Sequence, residues 1–147
     1  GNESVLEQLG RDLRKEKGII LASILPWDLA MAEKDKLYPA SAKMGHGSDP
    51  MGSLNAHFFP DDLRLDLAEE YQPATRDYGE FTPVSPTKIE LNGTMLTFYL
   101  NYNEITANGV MGDPGLCSAE RGKKMHDIMV AKLLDLVRAF ARLDTRA

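Results

Sequence analysis

Apolar residues recur at helical spacing near both ends of the chain. Steps of three and four residues predict an amphipathic helix over residues 3–16, with its apolar positions at Val5, Leu6, Leu9 and Leu13. Near the other end, Ser118 precedes a longer periodic segment, which predicts a capped helix that packs through its apolar face. The apolar positions of that helix, whose methionines are interpreted as core residues, are Met125, Ile128, Met129, Leu133, Leu136, Val137, Phe140 and Leu143.

Two segments between these helices have the patterns of strands. Residues 18–25 form a short, almost unbroken apolar run, which is typical of a strand buried on both faces in a parallel sheet. Residues 88–91 and 94–100 flank Asn92 and Gly93, and this pair supplies the positive φ angles of a tight hairpin turn. A helix that leads directly into a buried strand predicts an α/β architecture.

Prolines and glycines predict two long loops and two short helices. Residues 27–45 are polar and mixed and are interpreted as a loop that delivers the segment around His46. Pro50 then suits the first turn of a helix, capped by Ser48 or Asp49, and Pro60 ends that helix. A second short helix is predicted after Asp61-Asp62, followed by a loop over residues 71–86, which contains Gln72, Pro73, Gly79, Pro83 and Pro86.

Composition narrows the class of protein. The 147 residues fit one domain, and no apolar stretch approaches the roughly 18–20 residues that a membrane helix needs. A net charge of −5 argues against a nucleic-acid surface, which usually carries clustered Lys and Arg on a basic domain. The single cysteine, Cys117, cannot form an internal disulfide, which favours a buried structural thiol, a reducing compartment and a cytoplasmic location.

The strongest candidate for chemistry is the glycine-rich run around His46. His46 and Asp49 are three residues apart, close enough to converge on one metal ion, and Gly45 and Gly47 allow the backbone to approach a ligand. A catalytic zinc site usually has three protein ligands and a water molecule, so these two residues alone do not complete one. The alternative is that Asp49 caps the following helix and His46 forms a hydrogen bond with a neighbouring carbonyl.

Four segments, in this order along the chain, resemble the creatininase family. Gly1-Asn2-Glu3 resembles the end of the family's Asn-Gly-His-Gly-Gly-Asn segment, and residues 45–54 resemble its Gly-His-Ala-Gly stretch, which ends in Glu-Thr-Ser-Leu. Residues 109–114 and 118–122 resemble its Gly-Val-x-Gly-Asp-Pro and Thr-Ala-Glu-Lys-Gly pair. The similarity covers nearly the whole chain and implies the C-terminal portion of a creatininase-like domain.

The resemblance implies a three-layer α/β/α fold, with a mostly parallel sheet and a β-hairpin insertion, often in hexamers. It also implies a metal-dependent hydrolase in which zinc or manganese activates water to open a cyclic amide or a related small polar cyclic substrate. His46 would be a metal ligand, and Asp49 would stand where the family's carboxylate reaches the metal. The family's other ligands belong to an N-terminal part, so an N-terminal fragment or subunit is an expected partner, together with further copies in a homo-oligomer.

Departures from the family pattern shape the remaining expectations. Met51-Gly52 replaces the family's Glu-Thr, which motivates the alternative of a non-catalytic α/β subunit or scaffold. The sole tryptophan, Trp27, lies far from residues 102–108, whereas creatininase closes its pocket with tryptophans, so creatinine is not the expected substrate. Glu104 and Asn108 are predicted to face a substrate more polar than creatinine, and Glu104 is predicted to transfer the proton in the reaction. A small-peptide peptidase and a hydrolase of cyclitol or sugar ketones are further alternatives within the family.

Overall fold

The computed structural model describes residues 2–74, 76–85 and 88–144, without the side chain of Ser85. Gly1 and Pro86, which enter two of the sequence predictions, lie outside the described residues. The helices are α1 (Glu3–Lys17), α2 (Pro26–Met31), α3 (Lys34–Leu37), α4 (Met51–Phe58) and α5 (Ala119–Ala141), and the strands are β1 (Thr82–Ser85), β2 (Lys88–Leu91) and β3 (Thr94–Thr97). No helix among these is long and apolar enough to cross a membrane.

The chain divides into two compact units. The first unit contains the described part of residues 1–34 and 126–147, and the second unit contains that of residues 35–125. In the first unit, α1 confirms the helix predicted at the start of the chain. It ends at Gly18, whose φ of +68° is the left-handed conformation that glycine adopts without a steric penalty, and the Gly18 N–H donates to the Arg14 carbonyl.

The strand predicted over residues 18–25 is not formed. This segment has no regular secondary structure, and its largest apolar side chains are exposed: Ile19, Leu21, Ile24 and Leu25. An extended apolar segment becomes a buried strand only when a neighbouring strand satisfies its backbone groups, and none of the described strands pairs with this one. The parallel sheet predicted from it is therefore absent from the described residues.

Two short helices replace the loop predicted over residues 27–45. Pro26 occupies the first turn of α2, where its missing N–H costs no hydrogen bond. Leu29 and Ala30 of this helix are buried. α3 follows after a turn, and its Leu37 is also buried. Helices of four to six residues are too short to show a clear apolar period, which explains why the pattern did not predict them.

The predicted final helix is confirmed as α5, but much of its apolar face is uncovered. Met125 is fully buried, and the Ser118 hydroxyl caps the helix by accepting the Arg121 N–H at 3.2 Å, as predicted. Farther along, Lys132 forms an ion pair with Glu33 at 2.9 Å. The packing prediction is wrong for the distal half of α5 within the described residues, where several apolar side chains are exposed: Val130, Leu133, Leu134, Leu136, Val137 and Phe140.

The second unit contains a three-stranded antiparallel sheet in the order β1-β2-β3. The predicted hairpin is confirmed, because Asn92 and Gly93 both have positive φ angles between β2 and β3, although β3 stops at Thr97. β1 lies within the segment predicted to be a loop. Its Pro83 is typical of a loop, and proline is tolerated in a strand only at the edge of a sheet, where β1 lies. The second helix predicted after Asp61-Asp62 is only a 3₁₀ turn, Leu65–Leu67.

The fold therefore combines helices with a small antiparallel sheet. Ile89 of β2 is fully buried and is the largest such side chain in the second unit. A short antiparallel contact between residues 72–74 and 105–107 then connects two loops, through the Ala107 N–H to the Gln72 carbonyl at 2.8 Å and the Ala74 N–H to the Ile105 carbonyl at 3.0 Å. This contact holds the loop that lies beside His46.

Candidate functional site

The two glycine-rich segments singled out by the sequence lie against each other. The His46 carbonyl accepts the Met111 N–H at 2.8 Å and the Gly112 N–H at 3.3 Å. A Cβ on Gly112 would lie 2.7 Å from the backbone nitrogen of Gly45, so only glycine permits this approach. The glycines of these motifs thus allow backbone to pack on backbone and place His46 beside residues 109–112.

The side chain of His46 is exposed and has two contacts. Its Nδ1 lies 2.7 Å from the Gly109 carbonyl oxygen, and its ring centroid lies 4.6 Å from that of Tyr102, at an interplanar angle of 38°. A carbonyl oxygen can only accept a hydrogen bond, so this contact requires a hydrogen on Nδ1. In the neutral tautomer that has this hydrogen, Nε2 carries the lone pair, as in metal-binding histidines whose other nitrogen donates to a carbonyl.

Asp49 occupies a different environment, because its side chain is completely buried. Oδ1 accepts the Ser53 N–H and Oδ2 accepts the Ser53 hydroxyl, both at 2.7 Å, so the carboxylate satisfies one backbone N–H of the first turn of α4. Oδ2 also lies 3.6 Å from a guanidinium nitrogen of Arg121. Asp49 therefore caps α4, as one of the alternatives predicted, and metal binding by this carboxylate would have to compete with the bonds from Ser53.

Ser53 and Arg121 link Asp49 to the start of α5. The Ser53 hydroxyl accepts the Ser118 N–H at 3.0 Å, while Nε of Arg121 donates to the Leu37 carbonyl at 3.1 Å. The Arg121 guanidinium also lies over the ring of Tyr38, 4.9 Å from its centroid. Sequence patterns identified neither Ser53 nor Arg121 as part of this network, because the contacts join segments that are far apart in the chain.

The same buried carboxylate affects Tyr38 and Cys117. Burial, reinforced by the negative charge of Asp49, raises the pKa of the Tyr38 hydroxyl above its ordinary range. The same two causes raise the pKa of the half-buried Cys117 thiol to about 12. This side chain occupies space left by Gly52, where a Cβ would lie 2.2 Å from Sγ. Cys117 is thus held as a neutral thiol, in line with the predicted structural role.

Cys117 is expected to resist alkylation in the folded protein. With its pKa near 12 instead of the ordinary 9.0, the thiolate fraction at about pH 8 falls roughly a thousandfold, and the rate with iodoacetamide should fall in proportion. Intact-mass spectrometry measures this rate directly, because the chain has one cysteine. The urea-unfolded chain is the control and should react at the ordinary rate. Equal rates for the folded and unfolded chains would contradict the assigned environment.

Glu104 stabilises the loop through its carboxylate. Oε2 accepts the Asn101 N–H at 2.9 Å, which closes a capping box, and Oε1 contacts Arg76. The hydrogen bond from the Asn101 backbone, with the Arg76 charge, lowers the pKa of Glu104 despite partial desolvation. An ionised carboxylate at neutral pH can accept a proton but has none to donate, so the predicted proton transfer by Glu104 would begin with the residue as a base.

Asn108 forms the turn that leads to Gly109. Its Oδ1 accepts the Val110 N–H at 3.2 Å, and its Nδ2 donates to the Glu70 carbonyl at 2.8 Å. Glu104 and Asn108 thus belong to the loop that contacts His46 through Tyr102 and Gly109. Their action on a substrate stays a prediction. Asp113 shapes the following turn by accepting the Gly115 N–H at 2.8 Å.

The described residues provide an incomplete set of metal ligands. Across residues 2–74, 76–85 and 88–144, no group of three or more His, Cys, Asp or Glu side chains is arranged to hold a metal ion. The imidazole of His46 has the chemistry of a ligand, and the contact of its Nδ1 with the Gly109 carbonyl is of the kind that orients metal-binding histidines. A site with the usual three protein ligands would need donors from outside these residues.

Comparisons with known proteins identify the family. The family model for creatininase, described as creatinine amidohydrolase, matches residues 1–137, and this chain belongs to the creatininase family. Members of this family are generally hydrolases. A search of curated proteins found no match.

A solved structure shows the same fold. This chain resembles a Bacteroides fragilis protein described as a "Putative creatinine amidohydrolase", with a TM-score of 0.70 and 20% sequence identity. The match covers 100% of this chain and 52% of the other, so this chain spans about half the length of that protein. The family predicted from the sequence motifs is confirmed, and the fold is consistent with it.

Proposed function

We propose that this chain is part of a metal-dependent hydrolase of the creatininase type, in which His46 is a metal ligand. The observation that carries the proposal is the 2.7 Å contact between Nδ1 of His46 and the Gly109 carbonyl, on an exposed side chain. With the Nδ1 hydrogen used in this contact, the neutral imidazole would offer the lone pair of Nε2 to a cation. Family membership supports the same role for the segment that contains His46.

A divalent ion such as zinc or manganese, when bound, supplies a Lewis acid that polarises a carbonyl and lowers the pKa of water. His46 would hold and orient it, and Glu104, kept ionised by Asn101 and Arg76, would accept a proton. Asp49 as a second ligand remains part of the proposal. It would have to share an oxygen that already accepts a hydrogen bond from Ser53.

The remaining ligands are proposed to come from an N-terminal fragment or a separate subunit, and the complete site from an oligomer. The first unit offers apolar surface for such a partner. Its exposed apolar side chains lie on α1, on the segment after Gly18 and on distal α5, and they include Val5, Leu9, Ile19, Leu21, Ile24, Leu25, Leu133 and Val137. Exposed apolar side chains in this number are typical of a protein surface that a partner covers.

The proposed substrate is a cyclic amide or a related small polar cyclic compound other than creatinine. The loop beside His46 contributes Tyr102, Glu104 and Asn108, which combine one aromatic ring with hydrogen-bonding groups. The sole tryptophan, Trp27, belongs to α2 and not to this loop. The loop itself therefore contributes no tryptophan, which favours a more polar substrate.

A second candidate is a non-catalytic subunit that retains the family fold. The observation in its favour is that residues after His46 have structural roles. Asp49 accepts two hydrogen bonds from Ser53, and the absence of a side chain at Gly52 leaves space for Cys117. In this case, the chain would stabilise or position a partner, and its own stability would not depend on a metal ion.

Replacing His46 by alanine separates the two candidates. In the assembled protein, we expect His46→Ala to weaken zinc or manganese binding by about a hundredfold, since even the loss of an outer hydrogen-bonding partner costs 10- to 100-fold. Isothermal titration calorimetry measures the affinity. The rise in melting temperature that metal gives the native state should shrink accordingly. His126→Ala, which removes a histidine from α5, is the control.

The opposite result would support the non-catalytic candidate. Metal affinity that is equal in the wild-type protein and the His46→Ala variant, with a melting temperature indifferent to chelators, would contradict the proposed hydrolase site.

A further inference from the structure

We propose that Tyr102 is a positioning residue for His46, and that Tyr102 and the Gly109 carbonyl together hold the imidazole in one rotamer and one tautomer. The arrangement exists in the metal-free protein. Its proposed role, which is to prepare His46 as a metal ligand, rests on the proposed function. The two contacts involve different parts of the imidazole: the Tyr102 ring packs against it at a tilt of 38°, and the Gly109 carbonyl contacts its Nδ1.

The backbone of Tyr102 is firmly anchored although its ring is half-exposed. Its carbonyl accepts the Ile105 N–H at 3.0 Å and the Thr106 N–H at 2.9 Å, and both of those residues are buried. The capping box between Asn101 and Glu104 closes the same turn. The ring is therefore presented to His46 from a fixed backbone and not from a freely moving loop.

The second contact depends on the conformation of Gly109. Its φ is +82°, a left-handed conformation that side chains rarely adopt, and the preceding Asn108 fixes the turn by accepting the Val110 N–H. A different conformation at Gly109 would turn its carbonyl away from Nδ1 of His46. Nothing lies within 4 Å of the missing Cβ, so space does not require glycine here. Glycine is required for the backbone conformation that sets the direction of this hydrogen bond.

An exposed histidine without such contacts samples several rotamers and both neutral tautomers. Fixing a side chain before binding reduces the conformational entropy that is lost when a ligand binds. A histidine held by Tyr102 and Gly109 is thus already in the state that binds a cation through Nε2.

NMR of the metal-free, full-length protein tests the inference. At about pH 8.5, where imidazole side chains are generally neutral, the ¹⁵N shifts of His46 report the tautomer and three-bond couplings report the χ1 rotamer. The wild-type protein should show the Nδ1–H tautomer and one rotamer. Tyr102→Leu should average the rotamers and remove the ring-current shift of the His46 protons, whereas Tyr102→Phe should preserve both. Tyr99→Leu removes an exposed ring elsewhere and is the control.

Gly109 has a matched control in Gly93, whose φ is +78° and whose missing Cβ also has nothing within 4 Å. Alanine carries the same backbone penalty at both positions, but only Gly109→Ala should mix the tautomers of His46. Averaged rotamers in the wild-type protein, or unchanged His46 spectra in Tyr102→Leu, would overturn the inference. Zinc affinity should fall about tenfold in Tyr102→Leu and remain unchanged in Tyr102→Phe.

The two hypotheses fail in different measurements. If His46→Ala leaves metal binding unchanged, the proposed hydrolase site is wrong, whereas the NMR spectra still decide whether Tyr102 holds His46. If the spectra show a fixed ring and zinc affinity falls in His46→Ala but not in Tyr102→Leu, Tyr102 does not prepare His46 for the metal, and its assignment as a positioning residue is overturned.

Discussion

Asp49→Ala is expected to lower the free energy of unfolding by about 3 kcal/mol, because each buried polar group that loses its partner costs about 1–3 kcal/mol. The substitution leaves the Ser53 N–H and hydroxyl without their acceptor in a fully buried position. It also deprives Arg121 of the carboxylate that lies 3.6 Å from its guanidinium. Urea unfolding followed by circular dichroism measures the change.

Asp66→Ala is the matched control for this experiment. Asp66 also pairs with an arginine, Arg64, but both side chains are exposed, so the change should be far smaller than that of Asp49→Ala. If Asp49→Ala were as mild as the control while abolishing metal binding, Asp49 would act as a ligand and not as a structural carboxylate. The experiment therefore tests the structural role of Asp49 against its predicted role as a ligand.

Gly122→Ala is expected to destabilise the protein by about 3 kcal/mol, because it overpacks a close contact between two helices. A Cβ on Gly122 would lie 1.9 Å from the carbonyl oxygen of Ser53, so α5 and α4 would have to separate. Ordinarily, alanine in a helix is about 1 kcal/mol more favourable than glycine, so the sign of the effect is diagnostic. Thermal and urea unfolding both measure it.

Gly10→Ala in α1 provides the opposite case. There, a Cβ would meet only the side chain of Leu21, at the ordinary contact distance of 3.7 Å, and the substitution should stabilise the protein by about 0.5–1 kcal/mol. A Gly122→Ala variant that is as stable as the wild-type protein would show that α4 and α5 do not approach as closely as described. The start of α5 would then not support Asp49 through Ser53 and Arg121.

Local patterns predicted the elements that depend on local chemistry. The first helix, the hairpin at Asn92-Gly93 and the cap at Ser118 all follow from contacts within a few residues. The strand expected over residues 18–25 failed, because burial of a strand depends on a partner that the segment itself cannot specify. β1 was missed for a related reason: Pro83 is compatible with a strand only at a sheet edge, which is a property of the assembled sheet.

The same distinction applies to the candidate site. His46 and Asp49 were recognisable from their spacing and glycine neighbours, and the cap formed by Asp49 follows from its position before α4. Arg121 and Tyr102 were not predicted to contact these residues, since both interactions join distant parts of the chain. A residue that supports another across such a distance leaves no periodic or spacing signal in the sequence.

Native mass spectrometry of the purified assembly, with elemental analysis of the same sample, tests the central claim most directly. We predict about one or two divalent ions per complete site, retained together with a second polypeptide or further copies that supply the other ligands. In the His46→Ala assembly, the metal content should fall. A single chain that carries no divalent metal in the wild-type sample, and that gains none when zinc or manganese is supplied, would contradict the account.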